Sequence, residues 1–266
     1  METNPLELSG VHVFITGASG GIGVVTAREF LKQGAKVTMQ YHRNLGQLEE
    51  LVSTYPHMAL AVKANVTDEA QVKEAFTKSI STLGPVQVLV VSHGVVSEHP
   101  AMIKDMSLKR WNQTLDINLT GSFIVIRDYM QQLEAHKVQK NVSLILLGSV
   151  LGRIGFVLSN DYAATKAAMM YGFMPGLKDE MVKICPRGRV NTVAPGLTHT
   201  QMIKGLMEDK SAMKRALATA SLNKISEPED IARSILFLAS EKAAGNISGQ
   251  VLDVNGGMGG HVVNEC

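Results

Sequence analysis

Seven short runs that are apolar at nearly every position recur along this chain, separated by stretches of helical periodicity. The runs are residues 11–15, 36–40, 59–63, 86–91, 142–147, 189–193 and 250–254. A strand with one wet face alternates apolar and polar side chains, whereas a strand covered on both faces has no reason to. The amphipathic stretches between them, near 21–33, 45–53, 69–83, 108–135, 162–182 and 228–239, have helix length. The alternation predicts an α/β fold, a doubly wound parallel sheet with helices on both faces. In such sheets ligands bind beyond the carboxyl ends of the strands.

The 266 residues suffice for one large domain over 1–266, with short tails at about 1–7 and 258–266. Basic and acidic residues number 26 and 24 and are mixed along the chain. That balance makes no electrostatic case for nucleic acid or an anionic membrane. Cys185 and Cys266 form neither a disulfide framework nor a metal-ligand spacing, so no metal is expected. Residues 1–5 lack the charged and apolar regions of a signal peptide, and no apolar run is long enough to span a bilayer. A cytoplasmic protein is the expectation.

Chemistry concentrates at two places. Thr16-Gly17-Ala18-Ser19-Gly20-Gly21-Ile22-Gly23 joins the first strand to the first helix. Gly17 permits a tight turn, Gly21 admits a pyrophosphate close to the backbone, and Gly23 allows close helix–strand packing. The helix N-terminus then offers free N–H groups to the anion. Farther on, Tyr162 and Lys166 stand four residues apart, on one helix face. A phenol titrates near pH 10, and a neighbouring ammonium lowers that value toward working pH. Ser149 lies upstream of both.

These motifs occur in order with Asn118 in Asp116-Ile117-Asn118-Leu119-Thr120-Gly121 and with Asn191 to Gly196, and the set resembles the short-chain dehydrogenase/reductase family from about Leu8 to Gly257. The resemblance implies a Rossmann-type sheet and hydride transfer between a nicotinamide and a carbonyl or alcohol carbon. It makes Tyr162 the proton-exchanging acid and Ser149 the hydrogen-bond donor to the substrate oxygen. Lys166 would lower the Tyr162 pKa and hold the nicotinamide ribose, and Asn118 would hold a water linking Lys166 to solvent. Cofactor contacts carried over are Gly17, Ser19, Gly21, Ile22, Gly23, Tyr41, His42, Arg43, Asn65, Val66, Ser92, Gly94, Tyr162, Lys166, Pro195, Gly196, Thr198 and Thr200.

The second strand ends Met39-Gln40-Tyr41-His42-Arg43-Asn44 with no acid to bind an NAD ribose 2′-OH, and Tyr41 stands where NAD-preferring relatives place aspartate. Arg43, with His42, suits a 2′-phosphate, so NADP(H) is expected over NAD(H).

The chain also departs from the family pattern. Val91-Ser92-His93-Gly94 replaces Asn-Asn-Ala-Gly, Asn65 replaces the adenine-side aspartate, and Thr165 replaces the serine before the lysine. His93 either packs beneath the cofactor or reaches the substrate pocket. Pro175-Gly176 falls within the helix of Tyr162, removes the backbone bond to Tyr171 and should bend the helix. In relatives this helix lines a subunit contact; a homo-oligomer, tetramer or dimer, is expected, with the proline bearing on that contact.

The substrate pocket is expected to involve Leu151, Arg153, Phe156, His199 and Met202, the last in a methionine-rich segment that is either an adaptable apolar wall or an ordinary lid helix. The sequence reading is thus an NADPH-dependent reductase of a bulky, mainly apolar carbonyl compound such as a secondary metabolite, or the reverse alcohol oxidation. Its rivals are a non-redox enzyme of the same fold and a dinucleotide-binding regulator. The tail 261–266 is left as either disordered or closing a neighbour's site.

Overall fold

A computed structural model describes residues 5–97 and 99–264. Its sheet has seven strands, β1 (His12–Thr16), β2 (Lys36–Tyr41), β3 (Ala59–Lys63), β4 (Val88–Val91), β5 (Ser143–Leu147), β6 (Arg189–Pro195) and β7 (Val251–Val254). All pair in parallel in the order β3-β2-β1-β4-β5-β6-β7. The order reverses direction between β1 and β4, so the crevice of the doubly wound sheet opens there, at the carboxyl ends of both strands.

Each strand divides its side chains between two cores. Val13 and Ile15 of β1, Val88 and Val90 of β4 and Ile145 of β5 face α1 (Gly21–Lys32) and α11 (Pro228–Ala239). Phe14, Leu89, Val91, Leu144 and Leu146 face the other way, toward α3 (Glu69–Leu83), α5 (Gly121–Ala135) and α8 (Met174–Ile184). Both faces are apolar because both are covered, which is why the runs show no alternation.

The remaining helices are α2 (Leu48–Thr54), α4 (Leu108–Leu115), α6 (Leu151–Ile154), α7 (Asn160–Ala167), α9 (Lys204–Glu208), α10 (Lys210–Leu217) and α12 (Glu241–Ala244). Several boundaries move from expectation. Leu45 precedes α2, β4 starts at Val88 rather than 86, and β6 runs on to Pro195. The two long helices expected at 108–135 and 162–182 each contain a wide π-type turn, at Asp116–Thr120 and Ala168–Phe173. The second stands just ahead of Pro175, which sits in the first turn of α8. α6 and the division of the lid into α9 and α10, with Asp209 capping the latter through Ser211 N and Ala212 N at 3.0 and 2.9 Å, were not legible as separate pieces.

The tail folds back on its own chain. Val263 N and Asn264 N donate to Ala218 O at 2.9 and 3.1 Å, and Asn264 Nδ2 to Ala220 O at 2.7 Å, which anchors the end of the lid. Residues 1–4 and 265–266 of the expected tails lie outside the described residues. Among the described residues no helix is long and apolar enough to cross a membrane, and no cluster of His, Cys, Asp and Glu is suited to a metal ion.

Candidate active site

Thr16 ends β1 and Gly17 turns the chain at φ +60°, where a Cβ would lie 2.7 Å from the His93 Cα. At Gly23 a Cβ would lie 2.5 Å from the Gly17 carbonyl oxygen, so only glycine lets α1 start this close to the turn. Gln40, which the sequence reading passed over, holds the turn in place. Its Oε1 accepts from Gly17 N at 2.8 Å, its Nε2 donates to Ala64 O at 2.6 Å, and its carbonyl accepts from Ala18 N at 2.8 Å. A glutamine inside a run of strand length was the available signal.

The residues fit a dinucleotide. Gly20 caps α1 with no side-chain bond, and no acid stands in its first turn, so the positive helix end faces the crevice unopposed. Thr200 crosses the turn, its methyl group 2.9 Å from where a Gly21 Cβ would be. Gly196 is equally confined, a Cβ there lying 2.8 Å from the Asn255 Cα, and Thr198 is buried with its hydroxyl donating to Gly196 O at 3.1 Å. Tyr41 is half-buried at the end of β2, and His42 and Arg43 follow it, exposed. Asn65 uses its Oδ1 to accept Thr67 N at 3.2 Å beside buried Val66, an Asx turn that leaves its amide NH₂ as donor.

Ser149, Tyr162, Lys166 and Asn118 are all buried at the carboxyl end of the sheet. Burial pushes the Tyr162 phenol up, and a hydrogen bond with the Ser149 side chain partly offsets it. The Lys166 ammonium lies 5.7 Å from the centre of the Tyr162 ring and donates to Leu147 O at 2.7 Å. Burial brings Lys166 down to about 8. Held against the Leu147 carbonyl, the Lys166 charge is not among the causes that set the Tyr162 pKa in this geometry.

Asn118, in the first wide turn, ties two elements together. Its Oδ1 accepts from Val95 N at 2.8 Å, and its Nδ2 donates to Val95 O at 2.9 Å and to the Thr165 hydroxyl at 3.2 Å. The loop after β4, including Gly94, is thus fastened to the helix of Tyr162. Ser92 N donates to the Thr16 hydroxyl at 3.0 Å, joining the loop after β4 to the end of β1.

His93 is packed inside the protein. It is buried between Thr16 Oγ1, 2.7 Å from Nδ1, and Ile117 O, 3.1 Å from Nε2. A carbonyl only accepts, so the Nε2–H tautomer is required and Nδ1 receives the Thr16 hydroxyl. Burial first, and the Lys166 charge second, hold His93 down to about 3, so the ring is neutral.

Of the expected substrate residues, Leu151 and Arg153 line one cavity, and the others lie elsewhere on the surface. Arg153 is held with its Nη1 2.5 Å from Asp253 and its Nε donating to the Tyr171 hydroxyl at 3.0 Å. His199 faces Glu227, with Nδ1 at 3.4 Å from the carboxylate. Both are held by acceptors distant in sequence. Leu151 packs on Val150, Ala220 and Met258 and, with Ile103, Trp111 and Ala163, lines an open cavity of about 490 Å³ on the flank of α7 away from Tyr162. Phe156 and Met202 remain exposed on the loop after α6 and at the lid's start.

Comparison with known proteins follows the same line. Residues 17–259 match the family described as enoyl-(acyl carrier protein) reductase. The chain is 32% identical over 256 residues to the 3-oxoacyl-(acyl-carrier-protein) reductase FabG of Thermotoga maritima, covering 95% of this chain and 99% of that protein. It is 30% identical over 245 residues to cis-4-hydroxycyclohexanecarboxylate dehydrogenase of Sinomonas cyclohexanicum, covering 91% and 94%. A crystal structure of a short-chain dehydrogenase/reductase, glucose/ribitol dehydrogenase, from Brucella melitensis superposes with a TM-score of 0.85 at 27% identity, covering 95% and 98%.

Proposed function

Because this chain belongs to the short-chain dehydrogenase/reductase family and is an NAD(P)-dependent enzyme acting on CH–OH and C=O groups, we propose that it reduces a carbonyl compound with NADPH, as a single Rossmann-type domain. The observation that carries this reading is the pairing of the Ser149 and Tyr162 side chains, buried together beside Lys166. Bound NADPH would supply the hydride. Tyr162, kept protonated by burial, gives its proton to the carbonyl oxygen, and Ser149 donates a hydrogen bond to the same oxygen as charge develops there. Lys166 orients the nicotinamide ribose, and Asn118 fixes the loop that flanks it. The glycine turn with Ser19 and Ile22 receives the pyrophosphate, Arg43 and His42 the 2′-phosphate, and Asn65, Val66, Ser92 and Gly94 the adenosine half. Pro195, Gly196, Thr198 and Thr200 close over the nicotinamide side.

The substrate in this reading has an apolar body beside Phe156 and Met202. The relatives' names put a 3-oxoacyl thioester and a cyclic ketone first among the compounds to test. Exposed Leu108, Phe123 and Tyr171 support a homo-oligomer.

The test is NADPH oxidation with a panel of thioester, cyclic and aryl carbonyls, with Tyr162→Phe beside the wild type. Turnover that Tyr162→Phe lowers by about 10²-fold or more supports the assignment. NADPH binding without oxidation on any carbonyl would favour the non-redox or regulatory reading.

A further inference from the structure

The turn that carries Tyr162 is gripped by an arginine from a neighbouring helix. Arg110, on α4, forms a fork on Asp161, with Nε to Oδ2 and Nη2 to Oδ1 both at 3.0 Å. Asp161 is fully buried and also accepts from the Thr114 hydroxyl at 2.9 Å. Burial pushes its carboxyl up, but the bonds from Arg110, Thr114 and the Tyr162 backbone N–H outweigh it and keep it ionised. The carboxylate belongs to the residue directly before Tyr162, in the first turn of α7, so whatever fixes Asp161 fixes the start of that helix.

The same guanidinium reaches two loops. Nη1 donates to His99 O at 2.6 Å, and Nη2 donates to Leu158 O at 3.0 Å. His99 belongs to the loop after β4 and Leu158 to the loop between α6 and α7. Leu158 stands at φ +69°, a left-handed conformation that a leucine adopts only when its surroundings impose it. Its carbonyl is held twice, by Arg110 and by Ala101 N at 2.9 Å. Only a planar fork meets a carboxylate and two carbonyls in these directions; an ammonium does not.

We propose that Arg110 is a positioning residue of the reaction, setting the Tyr162 turn and these two loops, which we read as the substrate mouth, in register through Asp161, Leu158 and His99. The proposal rests on the reading of Tyr162 as the acid. It makes the substrate mouth one rigid unit with the phenol, and it binds no cofactor.

The variants are Arg110→Lys, Arg110→Met and the double variant Arg110→Met/Asp161→Asn, which leaves no unpaired buried charge. Each is assayed for kcat and KM, for NADPH Kd and for melting temperature. Misplacing reacting groups by about 1 Å costs up to 10²-fold, so kcat/KM should fall about ten- to a hundredfold in all three. NADPH Kd should stay within about twofold, since Arg110 contacts none of the glycine turn. A role in neutralising Asp161 alone predicts otherwise: Arg110→Lys, or the double variant, would regain wild-type kcat/KM, and either result overturns the proposal. A wild type whose turnover survives Tyr162→Phe would overturn the underlying reading instead, whatever the Arg110 variants do.

Discussion

Lys166 and Leu147 are joined by a 2.7 Å hydrogen bond that keeps a buried ammonium against a strand-end carbonyl rather than against the neighbouring phenol. The arrangement has a thermodynamic signature. The Lys166 pKa falls from 10.5 to about 8 through burial. The folded protein therefore holds this proton less tightly than the unfolded chain does. The charge costs stability at every pH below about 8, and the cost fades as pH rises toward 10.5.

Replacing Lys166 by Met should stabilise the fold while ending turnover. The full shift corresponds to a ceiling of about 3 kcal/mol, and loss of the Leu147 contact reduces the expected gain to about 1 kcal/mol at neutral pH. Urea denaturation measures it. A lower midpoint in Lys166→Met would show that the ammonium is a net stabiliser.

Acid should weaken the protein well above the carboxylate range. His12 is buried, with Nδ1 2.7 Å from Gly84 O and Nε2 2.9 Å from Thr38 Oγ1, and burial, its largest influence, pulls it down to about 4. Below its ordinary pKa of 6.5 the unfolded chain takes up a proton that the folded form refuses. Stability is complete above pH 6.5 and declines toward pH 4, by up to about 3 kcal/mol for this one group. His12→Gln should be less stable at pH 7 but show a shallower decline; an unchanged slope would exonerate His12.

Arg43 should discriminate between cofactors. It is exposed just past β2, in a stretch with no carboxylate. A hydrogen bond to a charged group contributes about 1.5–3 kcal/mol, so Arg43→Ala should weaken NADPH binding by about tenfold or more and leave NADH nearly unchanged. Equal affinities for both cofactors in the wild type would refute the assignment.

Two glycines should respond oppositely to alanine. At Gly23 the added Cβ meets the Gly17 carbonyl at 2.5 Å, so α1 must move off the turn and cofactor binding should be lost. At Gly176, inside α8, nothing lies within 4 Å and φ is ordinary, so alanine should raise stability by about 0.5–1 kcal/mol. Thermal melts and NADPH titration of the two variants report both outcomes.

Strand runs such as 86–91 and 142–147 announced themselves because a parallel strand is covered on both faces and can be apolar throughout. The glycine turn and the Ser149, Tyr162 and Lys166 spacing were equally legible, since close backbone approach and helix periodicity are local properties. Local spacing could also say that Tyr162 and Lys166 share a face. It could not say where the ammonium points, because Leu147 O arrives from β5, nineteen positions away. Arg153 and His199 looked like pocket residues in sequence, but their partners Asp253 and Glu227, which the fold brings alongside, could not be read there. Gln40 and Arg110 attracted no notice, because a polar side chain gains its meaning from partners that only packing supplies. Sequence alone determined the layers and the position of the crevice, through burial and periodicity. Tertiary structure decided which polar groups meet within it, because hydrogen bonds need partners within about 3 Å and the chain order does not specify that distance.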